Sequence, residues 1–181
     1  MDYRNRYPAV LRYLSNFIDF FLVLGGITVL LLIFTNAMLR GAAGFDLAWS
    51  LEVTAFLLLW LTFLGCSAAM ARGAHMRVTE IVAHVVPERL QPVLDLFISI
   101  VIILILGTLI YNGSTISMHT WAQKTTVLYW PVGLLYASMP VGMVITLIFH
   151  LYNMALEARD HISIVGGKIK KSDDHSWEDF E

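Results

Sequence analysis

Three carboxylates and one histidine are the residues of this sequence best placed to do chemistry at membrane depth. Asp19, Glu52 and Asp95 each stand where a long apolar run begins, and His150 stands inside the last such run. An ionisable side chain inside a bilayer is costly, so it commonly marks proton or ion carriage, a substrate path or a buried pair. The carboxylates have a simpler account. Each sits where a helix is expected to start, and the positive end of a helix dipole favours a negative charge there. Asp19 and Asp95 also fall on the side that carries Arg72 and Arg77, so ion pairs among them would fasten a bundle of helices. The competing chemistry is a small exporter that uses Glu52 or Asp19 as a proton carrier.

The histidines pose a second question, because membrane b-type cytochromes hold haem between facing histidines. Only His150 has clear membrane depth. His75 and His84 lie at or below the same surface, and His119 lies on the opposite side. A lone His150 reads as a hydrogen-bonded packing residue, and a cytochrome b-like anchor of a redox complex stands as the alternative function. Cys66 is the single cysteine, which excludes an internal disulfide and dithiol redox chemistry. No phosphate-binding loop, dinucleotide fingerprint, metal-ligand cluster or nucleophile–base constellation is present. The reading is therefore of a chain without enzymatic activity and without a cofactor of its own.

The elements that position these residues follow from composition. Of 181 residues, 57% are hydrophobic and 14% charged, and the mean hydropathy is +0.68. Soluble domains carry roughly 25% charged residues, so the excess apolar surface calls for a bilayer as its solvent. A net charge of -2 supplies no basic field for nucleic acid. Four runs are long enough to span: Phe20 to Leu39, Val53 to Met70, one centred on Leu96 to Tyr111, and one within Thr125 to Leu156. The first run is too long for a cleaved signal core and reads as a retained anchor. Asn112 to Lys124 extends the third span outward before a turn near Trp130 and Pro131. Pro140, inside the fourth, predicts a kink whose freed carbonyl Ser138 or a neighbouring helix would satisfy.

Basic residues set the orientation. Arg4, Arg6 and Arg12, then Arg72, Arg77 and Arg89, then Arg159, Lys168, Lys170 and Lys171 all fall on one side of a four-span topology, leaving Arg40 and Lys124 on the other. Both termini are thereby expected in the cytoplasm. Val78, Ile81, Val82, Val85 and Val86 repeat on one helical face, which predicts a short amphipathic helix on the inner leaflet between spans two and three, ended by Pro87. Gly65 and Ala69 form a small-xxx-small surface for close helix approach, as do Gly25 and Gly26. Most tryptophans lie near span ends, where their rings anchor at headgroups. The expected organisation is a basic cytoplasmic segment over 1–13, a four-helix transmembrane domain over 14–158 and a polar cytoplasmic tail over 159–181, too charged to order itself. The fold class is an all-α membrane protein.

Some of these residues carry a resemblance. Trp49-Ser50-Leu51-Glu52 opens the second span, and Ala71-Arg72-Gly73-Ala74-His75-Met76-Arg77-Val78 closes it. Trp130-Pro131 and Met139-Pro140-Val141-Gly142 mark the fourth. In this order the chain, from about Leu14 to Leu156, resembles the small permease (DctQ-like) subunit of tripartite ATP-independent periplasmic (TRAP) transporters. The resemblance implies an accessory subunit in a bacterial inner membrane. Its partners would be a large permease subunit that holds the substrate and sodium sites, a periplasmic binding protein that delivers an organic acid, and membrane lipid. Carried onto this chain, it implies that Trp49 and Glu52 lie near the periplasmic surface, either ordering the outer loop or contacting a partner. Arg72, His75 and Arg77 would lie at the cytoplasmic surface, pairing with Asp19, Asp95 or lipid phosphate. Gly65 and Pro140 complete the set of structural and assembly candidates.

Overall fold

The computed structural model of the protein describes residues 7–73 and 91–175. The described residues form five helices: α1, Ala9–Ala43; α2, Ala48–Ala71; α3, Gln91–His119; α4, Val132–Tyr136; and α5, Ser138–His175. Apolar runs become helices because the hydrocarbon interior offers no partner for a backbone N–H or C=O, so each must be met within the segment. Four stretches are long and apolar enough to cross a bilayer: Ala9–Ala43, Ala48–Ala71, Val93–His119 and Val132–Glu157. The amphipathic segment from Val78 to Val86, together with His75 and Arg77, lies outside the described residues.

The helices pack as a row. α1 lies against α2, α2 against α5, and α5 against α3, with α4 also on α3. α1 and α3 occupy the two ends of the row. The tightest cluster sits where α2 finishes, and it gathers Tyr7, Ile18, Leu64, Ala68, Met70, Ala71 and Phe149. Small side chains predominate where α2 meets its neighbours. In lipid, apolar surface has little drive to leave its solvent, so helices adhere by close fit.

Two boundaries differ from the sequence reading, each for a physical reason. α1 begins at Ala9 rather than near Phe20. Its first turns hold both Arg12 and Asp19, but the residues facing the bundle (Leu11, Leu14, Ser15 and Ile18) recur at helical spacing and are covered. Asp19 is thus well inside a helix, and a helix-start account of its charge does not apply. The fourth span starts at Val132, within the expected stretch, after residues 123–131 close into a loop where the turn near Trp130 and Pro131 is expected. The polar segment after residue 158 continues α5 as far as His175. A helix already nucleated in the membrane extends with one hydrogen bond gained per residue fixed, without the nucleation cost that a separate polar helix would face. The extension of the third span past Asn112 agrees with the expectation and reaches His119.

Pro140 lies in the first turn of α5, just after the span divides at Ala137. A proline cannot donate to the carbonyl four residues earlier and its ring crowds that carbonyl; here that residue is Tyr136, the last of α4. Ser138 Oγ donates to the Leu135 carbonyl at 2.6 Å, meeting a neighbouring orphan acceptor.

Candidate functional site

Four of the assembly candidates stand at the two ends of α2: Trp49 and Glu52 at its start, Arg72 and Asp19 at its finish. At its start, Leu47 N–H donates to Asn36 Oδ1 at 2.9 Å, so a buried asparagine of α1 caps the first turn of α2. Trp49 follows, with its ring partly exposed, and then Glu52. The Glu52 carboxylate reaches across to the loop between α3 and α4. Oε1 accepts from Thr126 Oγ1 at 2.9 Å and from Val127 N–H at 2.8 Å; Oε2 accepts from Leu128 N–H at 2.9 Å. Two successive backbone N–H groups converging on one anion form a small nest.

The loop is closed upon itself as well. Lys124 and Pro131 form an isolated antiparallel bridge. Thr125 N–H donates to Trp130 O at 2.9 Å, Trp130 N–H returns to Thr125 Oγ1 at 3.0 Å, and Val132 N–H donates to Gln123 O at 2.9 Å. Tyr129 completes the turn in the left-handed region at φ 55°, which is uncommon for a residue other than glycine. Trp130 packs edge-on to Phe56, one turn along α2 from Glu52, with ring centroids 5.5 Å apart; Phe56 in turn meets Trp60 at 5.9 Å. Glu52, Phe56 and Trp60 therefore make one helical face that carries the loop.

At the far end of α2, Arg72 donates to Asp19 Oδ1 at 2.6 Å, tying α1 to α2. The guanidinium is half exposed, so the pair contributes little to stability on its own. The buried work is done beside it. Asn153 of α5 donates to the Met70 carbonyl at 3.0 Å and accepts from the Tyr7 hydroxyl at 2.6 Å. The carbonyls that end a helix have no partner within it, and Asn153 supplies one for α2. The Tyr7 ring stacks on Phe149 and meets Tyr152 edge-on. His150 is fully buried alongside, in keeping with a packing role. His119 is at the opposite end of the spans, so the two histidines with described side chains do not face one another. Asp95 is the fifth residue of α3 and half-buried.

The tight helix crossings are set by glycines that the sequence reading did not assign to packing. A Cβ on Gly142 would lie 2.6 Å from Phe63 Cβ and 2.8 Å from the Phe63 backbone; one on Gly133 would lie 2.5 Å from the Ser117 carbonyl oxygen. Ser117 Oγ donates to the Gly133 carbonyl at 2.8 Å, fixing α3 to α4. At Gly65 the nearest atom would be Leu22 Cδ2 at 4.0 Å, so that surface is an ordinary contact. Tyr7, Asn36 and Asn153 were missed because nothing local distinguishes them; Gly142 was picked out only as part of the resemblance, although Ser138 and Thr146 stand four residues to either side of it. The one available signal was an asparagine inside an apolar span, which asks for a partner.

The arrangement clamps a loop and knots helix ends. Among the described residues, no group of three His, Cys, Asp or Glu could hold a metal ion. A family model described as Tripartite ATP-independent periplasmic transporters, DctQ component, matches residues 29–160. The match runs from the middle of α1 into the extension of α5 and contains Glu52, its loop and Asn153. No curated protein matches the chain.

Proposed function

The chain belongs to the DctQ family of components of tripartite ATP-independent periplasmic transporters, and from that premise we propose that it is the small scaffold subunit of a sodium-coupled importer of an organic acid, a carboxylate. It pairs with the large permease subunit, which holds the substrate and sodium sites. It sits in the inner membrane with both termini in the cytoplasm, so the Glu52 end faces the periplasm and the Arg72 end the cytoplasm. The bias of Lys and Arg toward the Arg72 end supports that sidedness. The loop over Glu52 helps receive the periplasmic binding protein, and Trp49 and Trp130 border that surface. Arg72, with Asp19, fastens the bundle, and His75 and Arg77 serve assembly or lipid phosphate at the same face.

One observation carries the reading. The four spans stand side by side in the order α1, α2, α5, α3, and the buried side chains of Asn36, Ser117 and Asn153 are spent on neighbouring carbonyls, amides and hydroxyls. A row of helices held in this way supplies wall and anchorage for a passage that belongs to another chain. An elevator needs such a fixed part, one that resists being dragged when the moving part crosses the membrane.

Reconstitution tests it. Liposomes containing this chain, the large subunit and the binding protein are expected to accumulate the organic acid when a sodium gradient is imposed. Omission of this chain should abolish uptake, and this chain alone should give none. Uptake by the chain alone would overturn the reading.

A further inference from the structure

The side of α3 that faces away from the rest of the chain is polar in its second half. Thr108, Asn112, Thr115 and His119 are all exposed, and their spacing of four, three and four residues puts them on one narrow stripe. Ser99, Leu106, Gly113 and Ser117, which are buried, lie on the opposite side of the same helix.

By composition alone this stripe would belong near the surface, since the apolar run of α3 ends at Tyr111. Packing places it deeper. Gly113 abuts Pro140, with a Cβ there 3.0 Å from Pro140 Cδ, and Gly142, two residues on, crosses Phe63 of α2. Phe63 stands about midway along α2 between Glu52 and Arg72, roughly 16 Å from one and 14 Å from the other at the helical rise. Gly25 of α1 meets Leu61 at nearly the same level. The register of α1, α2 and α5 thus holds Asn112 roughly level with Phe63, well inside the row and away from both ends of α2.

An amide turned toward hydrocarbon at that depth lacks the partners water would give it. The helix itself satisfies part of the stripe. Thr108 Oγ1 donates to Leu104 O at 2.8 Å, Asn112 Nδ2 to Thr108 O at 2.9 Å, and Thr115 Oγ1 to Tyr111 O at 2.9 Å. Each threonine has its only hydroxyl proton committed inward. What the stripe turns outward is mainly acceptor: the hydroxyl lone pairs, Asn112 Oδ1 and one remaining amide hydrogen. A second copy of this chain could pair only at Asn112, and would set the threonine lone pairs above and below it against acceptors. A helix that carries donors would fit.

We propose that the face of α3 formed by Thr108, Asn112 and Thr115 is the seat of a donor-bearing transmembrane helix of the large permease subunit. This rests on the functional reading above and names the surface through which the two chains join. Asn112 is its centre, because it lies roughly level with Phe63 and keeps both an acceptor and a donor free among the described residues.

The test uses the two membrane subunits co-expressed, with this chain tagged. The double variant Asn112→Leu/Thr115→Val is expected to weaken capture of the large subunit about tenfold, the scale of losing a few interhelical hydrogen bonds. The same variant purified alone should melt no lower than wild type, because neither side chain reaches another helix of its own chain. In parallel, a photo-crosslinking amino acid at position 112 in the full transporter should yield an adduct with the large subunit. Equal capture by variant and wild type, or an adduct confined to lipid or to a second copy of this chain, would overturn the proposal. Failure of the wild-type chain to capture any large subunit would remove the functional reading itself, and this surface with it.

Discussion

Replacing Gly142 by alanine adds one methyl group at the crossing of α2 and α5. That methyl would sit 2.6 Å from Phe63 Cβ and 2.8 Å from the Phe63 carbonyl carbon and oxygen. Carbon atoms in ordinary contact are about 3.5–4.0 Å apart, so the helices must separate locally by about 1 Å. Two of the obstructing atoms are backbone, and no rotamer change relieves them. Gly25 differs in this respect, since its Cβ would meet only the end of the Leu61 side chain. Overpacking of this kind costs about 1–3 kcal/mol. Alanine offsets about 1 kcal/mol of that through its better helix propensity. The net loss is then about 0–2 kcal/mol, a fall in Tm of up to about 8 °C for a chain of this size. Gly65→Ala is the internal control, because its Cβ would come no nearer than 4.0 Å to Leu22; it should leave Tm unchanged or raise it slightly. Thermal scanning of the detergent-purified protein by size-exclusion chromatography reads both variants. Gly142→Ala should therefore melt below Gly65→Ala by the full overpacking cost of about 1–3 kcal/mol; equal shifts for the two would refute the assignment of the tight crossing to Gly142 and Phe63.

Two further outcomes follow from the ends of α2. Glu52→Gln replaces one acceptor oxygen by an NH2 group facing an N–H donor of the loop, so residues 124–131 should become cleavable by added protease while the helices stay protected; an unchanged cleavage pattern would show that the carboxylate does not hold the loop. Asn153→Leu removes the Nδ2 donor from the Met70 carbonyl, leaving it the Gly73 N–H, and takes the nearer acceptor from the Tyr7 hydroxyl, leaving it the Ala71 carbonyl at 3.4 Å; the cost is about 1–3 kcal/mol. Adding Tyr7→Phe should cost less than the sum of the two single changes, a non-additivity that a double-mutant cycle measures directly.

The spans were legible because twenty or so consecutive apolar residues leave a chain few alternatives. The cluster of Glu52, Trp130 and Pro131 could be picked out as residues, but not as a unit. Glu52 and its loop partners are separated by 74 to 76 positions, and no local pattern encodes a distance of that kind. Asp19 was misplaced for the opposite reason. A charge beside an apolar run looks like a boundary, yet Arg72, 53 positions away, neutralises it within a continuous helix. Gly65 has the spacing that favours close packing yet makes an ordinary contact, whereas Gly142, with Ser138 and Thr146 at that same spacing, is where backbones meet. Small residues in sequence advertise a possible approach; the helix that makes it is chosen by the register of the whole row.

The hold of Glu52 on its loop also says where a push on the outer surface would go. The loop's covalent ends belong to α3 and α4, but three hydrogen bonds of 2.8–2.9 Å tie its middle to α2. A force applied to the tip at Tyr129 would therefore enter the molecule through the central strut of the row. That strut is moored at its other end to α5 by Asn153 and to α1 by Arg72 and Asp19. A tap on the outside would be felt by three helices at once, and the loop would travel with them as one stiff body.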